Sequence, residues 1–132
     1  MKQIVLFLLI AAGAACSGNA DYKKAEDAQD AGREFIRASL DGNYKKASFY
    51  LLKDSTGTNQ RLLDRWKEGY NHYSQEQKVG FKEAVIRPVH ITPVNDSAVV
   101  YIYTNSFEPE DTTSIRIIRW QGDWLVDLKD IH

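Results

Sequence analysis

The sequence predicts one α+β domain, with N-terminal helices packed on one face of a curved antiparallel sheet of about four strands. Three observations lead there. Ser97–Lys129 holds three runs rich in Val, Ile, Thr, Tyr and Trp, separated by two turn-forming interruptions. Such residues fit a pleated, half-buried surface, so the stretch reads as a meander. Residues 24–73 instead show apolar positions at helical spacing. Helices first and strands afterwards segregate into an α+β layer rather than alternating units.

In chain order, Lys24–Leu40 places Ala25, Ala28, Ala31, Gly32, Phe35, Ile36 and Ser39 on one stripe. Its charged side offers Asp30/Arg33 and Glu34/Arg37 as pairs along the turn. Gly32 inside a helix costs about 1 kcal/mol against Ala, which close approach to a sheet would offset. Asp41-Gly42 stops this helix and Asn43 caps the next, expected over Tyr44–Leu52. A polar loop, Lys53–Gln60, leads to a third helix, Arg61–Tyr73, burying Leu62, Leu63, Trp66, Tyr70 and Tyr73. Ser74-Gln75-Glu76-Gln77 has the form of a capping box, so a further helical turn is expected before Gly80. Phe81–Thr92 then extends as a strand that Pro88 bends or places at an edge. Pro93–Asp96 reads as a turn, and the strands Ser97–Thr104, Thr112–Trp120 and Trp124–Lys129 complete the sheet.

Composition bounds the function. The 132 residues leave room for one domain of roughly 100–115 residues after a leader. Seventeen basic and eighteen acidic residues give a net charge of −1, and removing Lys2 with a leader takes it to −2. Without a basic field or run, nucleic acid is not an expected partner. A single cysteine excludes an internal disulfide.

That cysteine is placed tellingly. Met1-Lys2-Gln3 is a short basic start, Ile4–Ile10 an unbroken apolar run, and Ala11-Ala12-Gly13-Ala14-Ala15 leads to Cys16. The apolar run is shorter than the roughly 17–25 residues of a spanning helix and has the size of a secretory core. The segment resembles a bacterial lipoprotein signal, although Gly13 stands where that pattern usually has Leu. The resemblance implies cleavage before Cys16 and diacylglycerol on its thiol, which divides the chain into a signal peptide at 1–15, a lipidated cysteine and tether at 16–22, and a domain at 23–132. Ser17, where inner-membrane retention signals usually carry Asp, implies an outer-membrane protein facing the periplasm of a Gram-negative bacterium. Two or three acyl chains anchor stably where one binds only marginally.

Leu40-Asp41-Gly42-Asn43-Tyr44-Lys45-Lys46-Ala47 resembles the helix junction of nuclear transport factor 2-like domains, and Asp96–Val100 and Gly122–Val126 are similar to that family's strand openings. The likeness spans residues 21–130 and is closest to a lipoprotein branch related to lumazine-binding-like domains. It implies a cone-shaped fold, and dimerisation through the sheet is frequent among such domains.

Candidate sites are few. Asp64, Glu68 and His72 lie on one line of the third helix, but opposite Leu62, Trp66 and Tyr73, so a solvated stripe is expected. His90 and His132 share no ligand spacing with them, and neither metal nor cofactor is assigned. In Ser97–Thr104 both alternating sets, Ala98/Val100/Ile102 and Val99/Tyr101/Tyr103, are apolar. The face the helices leave open is then either an association surface or shielded by curl. Tyr101, Tyr103, Ile118 and Trp120 are the interface candidates, for a homodimer or another partner. Equally, Trp120 and Trp124 can be a cross-strand pair about the Gln121-Gly122-Asp123 turn.

A pocket for a small apolar ligand is the further possibility. Related cone folds include isomerases and dehydratases with an Asp base, but here Asp127 is expected to be exposed and no inward carboxylate is evident. Asp54-Ser55-Thr56, Asp96-Ser97-Ala98 and Asp111-Thr112-Thr113 resemble O-glycosylation acceptors, with Ser55, Ser97 and Thr112 as the sites, although such pairs are common turn residues. The sequence thus favours a non-enzymatic binding or accessory module. The alternatives are a pocket enzyme and a structural lipoprotein that recruits envelope partners by its sheet face.

Overall fold

The computed structural model describes residues 22–129. Residues 1–15, expected to be a signal peptide, Cys16, residues 17–21 of the expected tether, and His132 lie outside them. Asp27 takes an extended conformation and its carboxylate accepts the Asp30 N–H at 2.8 Å, so helix α1 runs Ala28–Leu40 and starts four residues later than expected. Its buried stripe is Ala28, Ala31, Gly32, Phe35, Ile36 and Ser39, as the spacing predicts, with Ala38 added. Asp30 and Arg33 pair at 2.5 Å. The expected Glu34/Arg37 pair does not form, because Glu34 meets Lys46 at 2.9 Å and Arg37 turns to Asp41 at 3.1 Å.

Gly42, at φ 77°, turns the chain, and Asn43 caps α2 (Tyr44–Phe49) through the Lys46 N–H at 3.1 Å. This helix is shorter than Tyr44–Leu52 because the backbone beyond it joins the sheet. Helix α3 spans Thr58–Asn71, and α4 spans Gln75–Lys82. Asp54 starts α3 before Arg61 by accepting the N–H groups of Thr58 and Asn59 at 3.0 and 2.9 Å. These bonds and the Thr56 hydroxyl, the largest cause, hold the Asp54 carboxyl well below its usual range.

The capping box at Ser74 is present in both directions, at 3.1 and 2.9 Å, and the helix it opens continues past Gly80. Phe81 is therefore helical and buried, and the strand expected from Phe81 begins only at Ile86. The cause is Arg37, whose guanidinium donates to the carbonyls of Phe81, Lys82 and Ala84 at 3.0, 2.9 and 2.7 Å. A cation on the terminal carbonyls of α4 is favoured by the helix dipole.

Strands β1 (Ile86–Asn95), β2 (Ala98–Asn105), β3 (Thr113–Trp120) and β4 (Asp123–Asp127) form an antiparallel meander in that order. Pro93 lies within β1, and the turn is Asp96-Ser97 rather than Pro93–Asp96. β1 is an edge strand with register shifts at Pro88 and Pro93, where the missing N–H groups cost no central ladder bond. The other edge is covered: Leu52 N–H donates to the Val126 carbonyl at 2.8 Å and Val126 N–H to the Tyr50 carbonyl at 2.7 Å. Gln121 and Gly122, at φ 51° and 86°, make the tight β3–β4 turn.

Helix α1 lies across the sheet face carrying Val99, Tyr101, Tyr103, Ile115, Ile117 and Val126, all buried. A Cβ on Gly32 would fall 2.9 Å from Tyr101 Cδ2 and 3.2 Å from Ile117 Cδ1. The close approach expected there is present. Among the described residues the core lies between Ala25 and Leu128, and these residues make a hydrophobic interior of their own.

Asp127 overturns one expectation, being buried rather than exposed. Its carboxylate accepts from Asn59 Nδ2 at 3.1 Å, while Asn59 Oδ1 accepts the Leu128 N–H at 2.8 Å. Strand alternation places it outward, but α3 closes over the end of β4 and supplies this buried partner.

Two substitutions test these contacts in urea denaturation. Gly32→Val is expected to destabilise the domain by about 2 kcal/mol, since the ring of Tyr101 cannot yield without disturbing the core. Asn59→Ala leaves the Leu128 N–H and a carboxylate without this partner and is expected to cost about 2–3 kcal/mol; a change below about 0.5 kcal/mol would contradict its role.

Candidate functional site

Where α1, α3 and α4 end over the open end of β2 and β3, they leave a cleft of about 310 Å³. That volume lies at the lower end for small-molecule sites. Leu40 and Ser39 enter from α1, Trp66 and Tyr70 from α3, and Phe81 from α4, while Tyr103, Asn105 and Thr113 form the sheet side. Tyr44 and Tyr73 stand at the helix junctions, and Glu108 belongs to the β2–β3 loop.

The aromatic rings form a continuous wall. Tyr44 meets Tyr70 at 5.9 Å, Tyr70 meets Tyr73 at 6.0 Å, and Tyr73 stacks on Phe81 at 4.8 Å. Phe81 in turn meets Phe107 edge-on at 4.9 Å. These separations are those of favourable aromatic pairs. Two glycines let the wall close: a Cβ on Gly42 would lie 2.3 Å from Tyr70, and one on Gly80 2.3 Å from Phe107.

The loop carrying Glu108 is held in place. Asn105 Oδ1 accepts the N–H groups of Phe107 and Glu108, both at 2.9 Å. The Thr104 hydroxyl lies 3.1 Å from the Glu108 carbonyl and 2.9 Å from that of Asp111. Arg37 does the same for α4, so the cleft walls are pre-positioned from both sides.

Burial raises the Tyr103 hydroxyl above its ordinary value, against the bond from Thr113 that lowers it. Burial raises Tyr44 as well, with Tyr73, Tyr70 and Tyr103 adding to it. Tyr73 is raised by burial and then by Glu108. At neutral pH the phenols of Tyr44, Tyr73 and Tyr103 are therefore neutral. Because the Tyr44 hydroxyl donates to the Trp66 carbonyl at 3.3 Å, Tyr44 offers the cleft an aromatic face while Tyr73 and Tyr103 supply the phenol donors. Among its lining residues the one carboxylate is that of the exposed Glu108, and none is a histidine. Such an arrangement can orient a ligand by hydrogen bonds and stacking, but it holds no buried base beside a tyrosine hydroxyl.

The expected interface residues do not share a face. Tyr101 and Tyr103 are 3% and 6% exposed, beneath α1 with Val99, and belong to the core. Residue alternation together with the pairing of Ala98 and Ile118 puts Ile118 and Trp120 on the face opposite to α1. There Trp120 is 53% exposed, whereas Ala98, Val100, Ile102, Ile118 and Leu125 are half-buried. Trp124 is not paired with Trp120; it sits opposite Arg119, whose guanidinium lies 5.8 Å from its ring.

Asp64, Glu68 and His72 are exposed along α3, and His90 is exposed on β1. Among the described residues no cluster of His, Cys, Asp or Glu could hold a metal ion. Ser55, Ser97 and Thr112 are exposed in turns or loops. Sequence reasoning read Trp66, Tyr70 and Tyr73 as buried core. They are half-buried or exposed because they line the cleft, together with Phe81 and Glu108. The available signal was the aromatic density from Trp66 to Phe81, more than one helix face can pack.

A second groove, of about 560 Å³, lies between α2 and α3 beside Tyr22. It is walled by three lysines and takes nothing from the sheet. The smaller cleft, bounded by elements of both layers, is the stronger candidate for a specific ligand.

No family model matches this chain, and no curated protein matches it. Among solved structures it is similar to the crystal structure of an NTF-2-like protein of unknown function from Shewanella oneidensis MR-1. The two share 11% identity at a TM-score of 0.49, over 73% of this chain and 88% of that one. The α+β architecture, helices on one face of a four-stranded meander, stands on this chain's own topology.

Alkaline titration tests the phenol cleft. With the folded Tyr103 raised above the ordinary value of 10.0, the unfolded chain loses that proton first as pH rises. Stability contributed by this group is thus fully present below about pH 10 and is lost above it, by about 1.4 kcal/mol per pH unit. Tyr103→Phe is expected to flatten that part of the alkaline limb in denaturation measured across pH; an unchanged slope would contradict it.

Proposed function

We propose that this chain is an outer-membrane lipoprotein with a nuclear transport factor 2-like domain, held by a diacylglycerol-modified Cys16 and facing the periplasm. Its domain acts as a non-enzymatic binding module. The cleft of about 310 Å³ takes a small, flat, mostly apolar ligand with one or two polar edges. The observation that carries this reading is the aromatic wall from Tyr44 to Phe81, with the raised phenols of Tyr73 and Tyr103 beside it. Stacking faces and phenol donors select planar rings bearing acceptors, and the binding requires no proton transfer.

The anchoring half is supported by Lys2, the Ile4–Ile10 run and the sole cysteine at position 16. A second reading, recruitment of an envelope partner through the open sheet face, is favoured by Trp120, which stands 53% exposed beside Ile118. An enzyme of isomerase or dehydratase type is less favoured, because the cleft carboxylate, Glu108, is on an exposed loop.

Mass spectrometry of small molecules carried through native purification is expected to release a planar apolar compound. Adding it back should quench the emission of Trp66 in the cleft wall. Tyr44→Ala should weaken that binding about fivefold, as for loss of one aromatic face. Recovery of no ligand together with loss of partner capture in Trp120→Ser would favour the sheet-face reading instead. For the anchor, Cys16→Ser is expected to abolish labelling by radioactive palmitate and cleavage before position 16, and a variant still labelled and cut there would overturn it.

A further inference from the structure

The groove of about 560 Å³ between α2 and α3 is not used by the ligand reading, and its chemistry differs from that of the cleft. Lys45, Lys53 and Lys67 line it against one carboxylate, Asp64, which is engaged by the Gln60 amide at 3.0 Å. Among the described residues none of these three lysines is in an ion pair, whereas Lys23, Lys24, Lys46 and Lys129 all are. Lys53 is held in place: its ammonium donates to the Ser48 and Leu51 carbonyls, the latter at 3.2 Å. An ammonium has three donors, so one remains for a ligand in the groove. Burial lowers the Lys53 pKa, as expected of a cation partly stripped of water before any anion arrives.

The groove also lies where the chain enters the domain. Tyr22 lines it, with its ring 5.6 Å from that of Phe49, and the Tyr50 hydroxyl donates to the Lys23 carbonyl at 2.6 Å. Five residues separate Tyr22 from Cys16, a reach of at most about 20 Å. Lysines behind an aromatic rim match the chemistry of a membrane interface, where rings sit at headgroup level and cations meet lipid phosphate.

We propose that this groove docks the domain on the membrane by taking the phosphate of an anionic phospholipid headgroup, with Lys45, Lys53 and Lys67 as the binding cations and Tyr22 and Phe49 as the interfacial rim. Its place near the bilayer rests on lipidation of Cys16; the affinity for the headgroup does not. Docking would turn a flexible tether into a fixed orientation at the membrane surface.

The test uses residues 17–132, which retain every core residue described above and lack Cys16, in sedimentation with phosphatidylglycerol-containing or pure phosphatidylcholine vesicles. Binding to the former alone, weakening with salt, is expected. Lys45→Gln, Lys53→Gln and Lys67→Gln should each lower partitioning about fivefold, and together roughly a hundredfold. Arg65→Gln/Lys82→Gln/Arg87→Gln removes equal charge elsewhere and should leave partitioning within about twofold. The exposed Lys45 and Lys67 single variants serve if the triple variant unfolds. Equal loss in both triple variants, no preference for the anionic lipid, or full displacement by glycerol 3-phosphate would overturn the proposal; the last would make the ligand a soluble phosphate. Vesicle binding with a failed Cys16→Ser test would remove the anchor and leave the headgroup site.

Discussion

At Gly32 the backbone of α1 comes so near the sheet that a single added carbon would lie 2.9 Å from the Tyr101 ring. This contact sets the height of the helix layer over β2 and β3. Phe35 and Ile36 fill the space on either side, and Ala28 and Ala31 keep the start of the helix equally low. A helix so close at its first turns and propped by bulky residues later is wedged against the sheet. The cleft opens beyond its C-terminal end, where Leu40 gives way to the Gly42 turn.

The helices that close this opening are tied by polar contacts rather than by a second apolar core. Arg37 reaches from α1 to three carbonyls at the end of α4, and Asn59 reaches from α3 to Asp127 and Leu128 on β4. Charge-assisted and buried hydrogen bonds are directional, so they hold position where apolar contact alone would permit sliding. The aromatic side chains between these ties are thereby left with surface to spare. That surplus makes a cleft out of what the sequence presents as a hydrophobic stripe.

The two cavities divide the chemistry of the domain. The cleft is aromatic, with one carboxylate on its exposed loop, and is bounded by both layers; the groove by Tyr22 is cationic and lined by no strand residue. Tyr44 lines both of them, and a domain oriented by its groove would hold the cleft at a constant attitude to the membrane.

Local patterning by itself determined the element order, the Asn43 and Ser74 caps, the buried stripe of α1, the edge placement of Pro88 and the tight turn before Trp124. Each depends on neighbours within a few residues, where propensity and hydrogen-bonding reach are enough. Tertiary structure alone decided which sheet face the helices cover, and so placed Tyr101 and Tyr103 inside and Ile118 and Trp120 outside. Alternation separates two apolar faces without saying which is buried. It likewise decided the buried Asp127, the pairing of residues 50–52 with Val126, and the gathering of Tyr44, Phe81 and Glu108 about one cleft. Those contacts join parts of the chain dozens of residues apart, and only the closed fold brings them within reach.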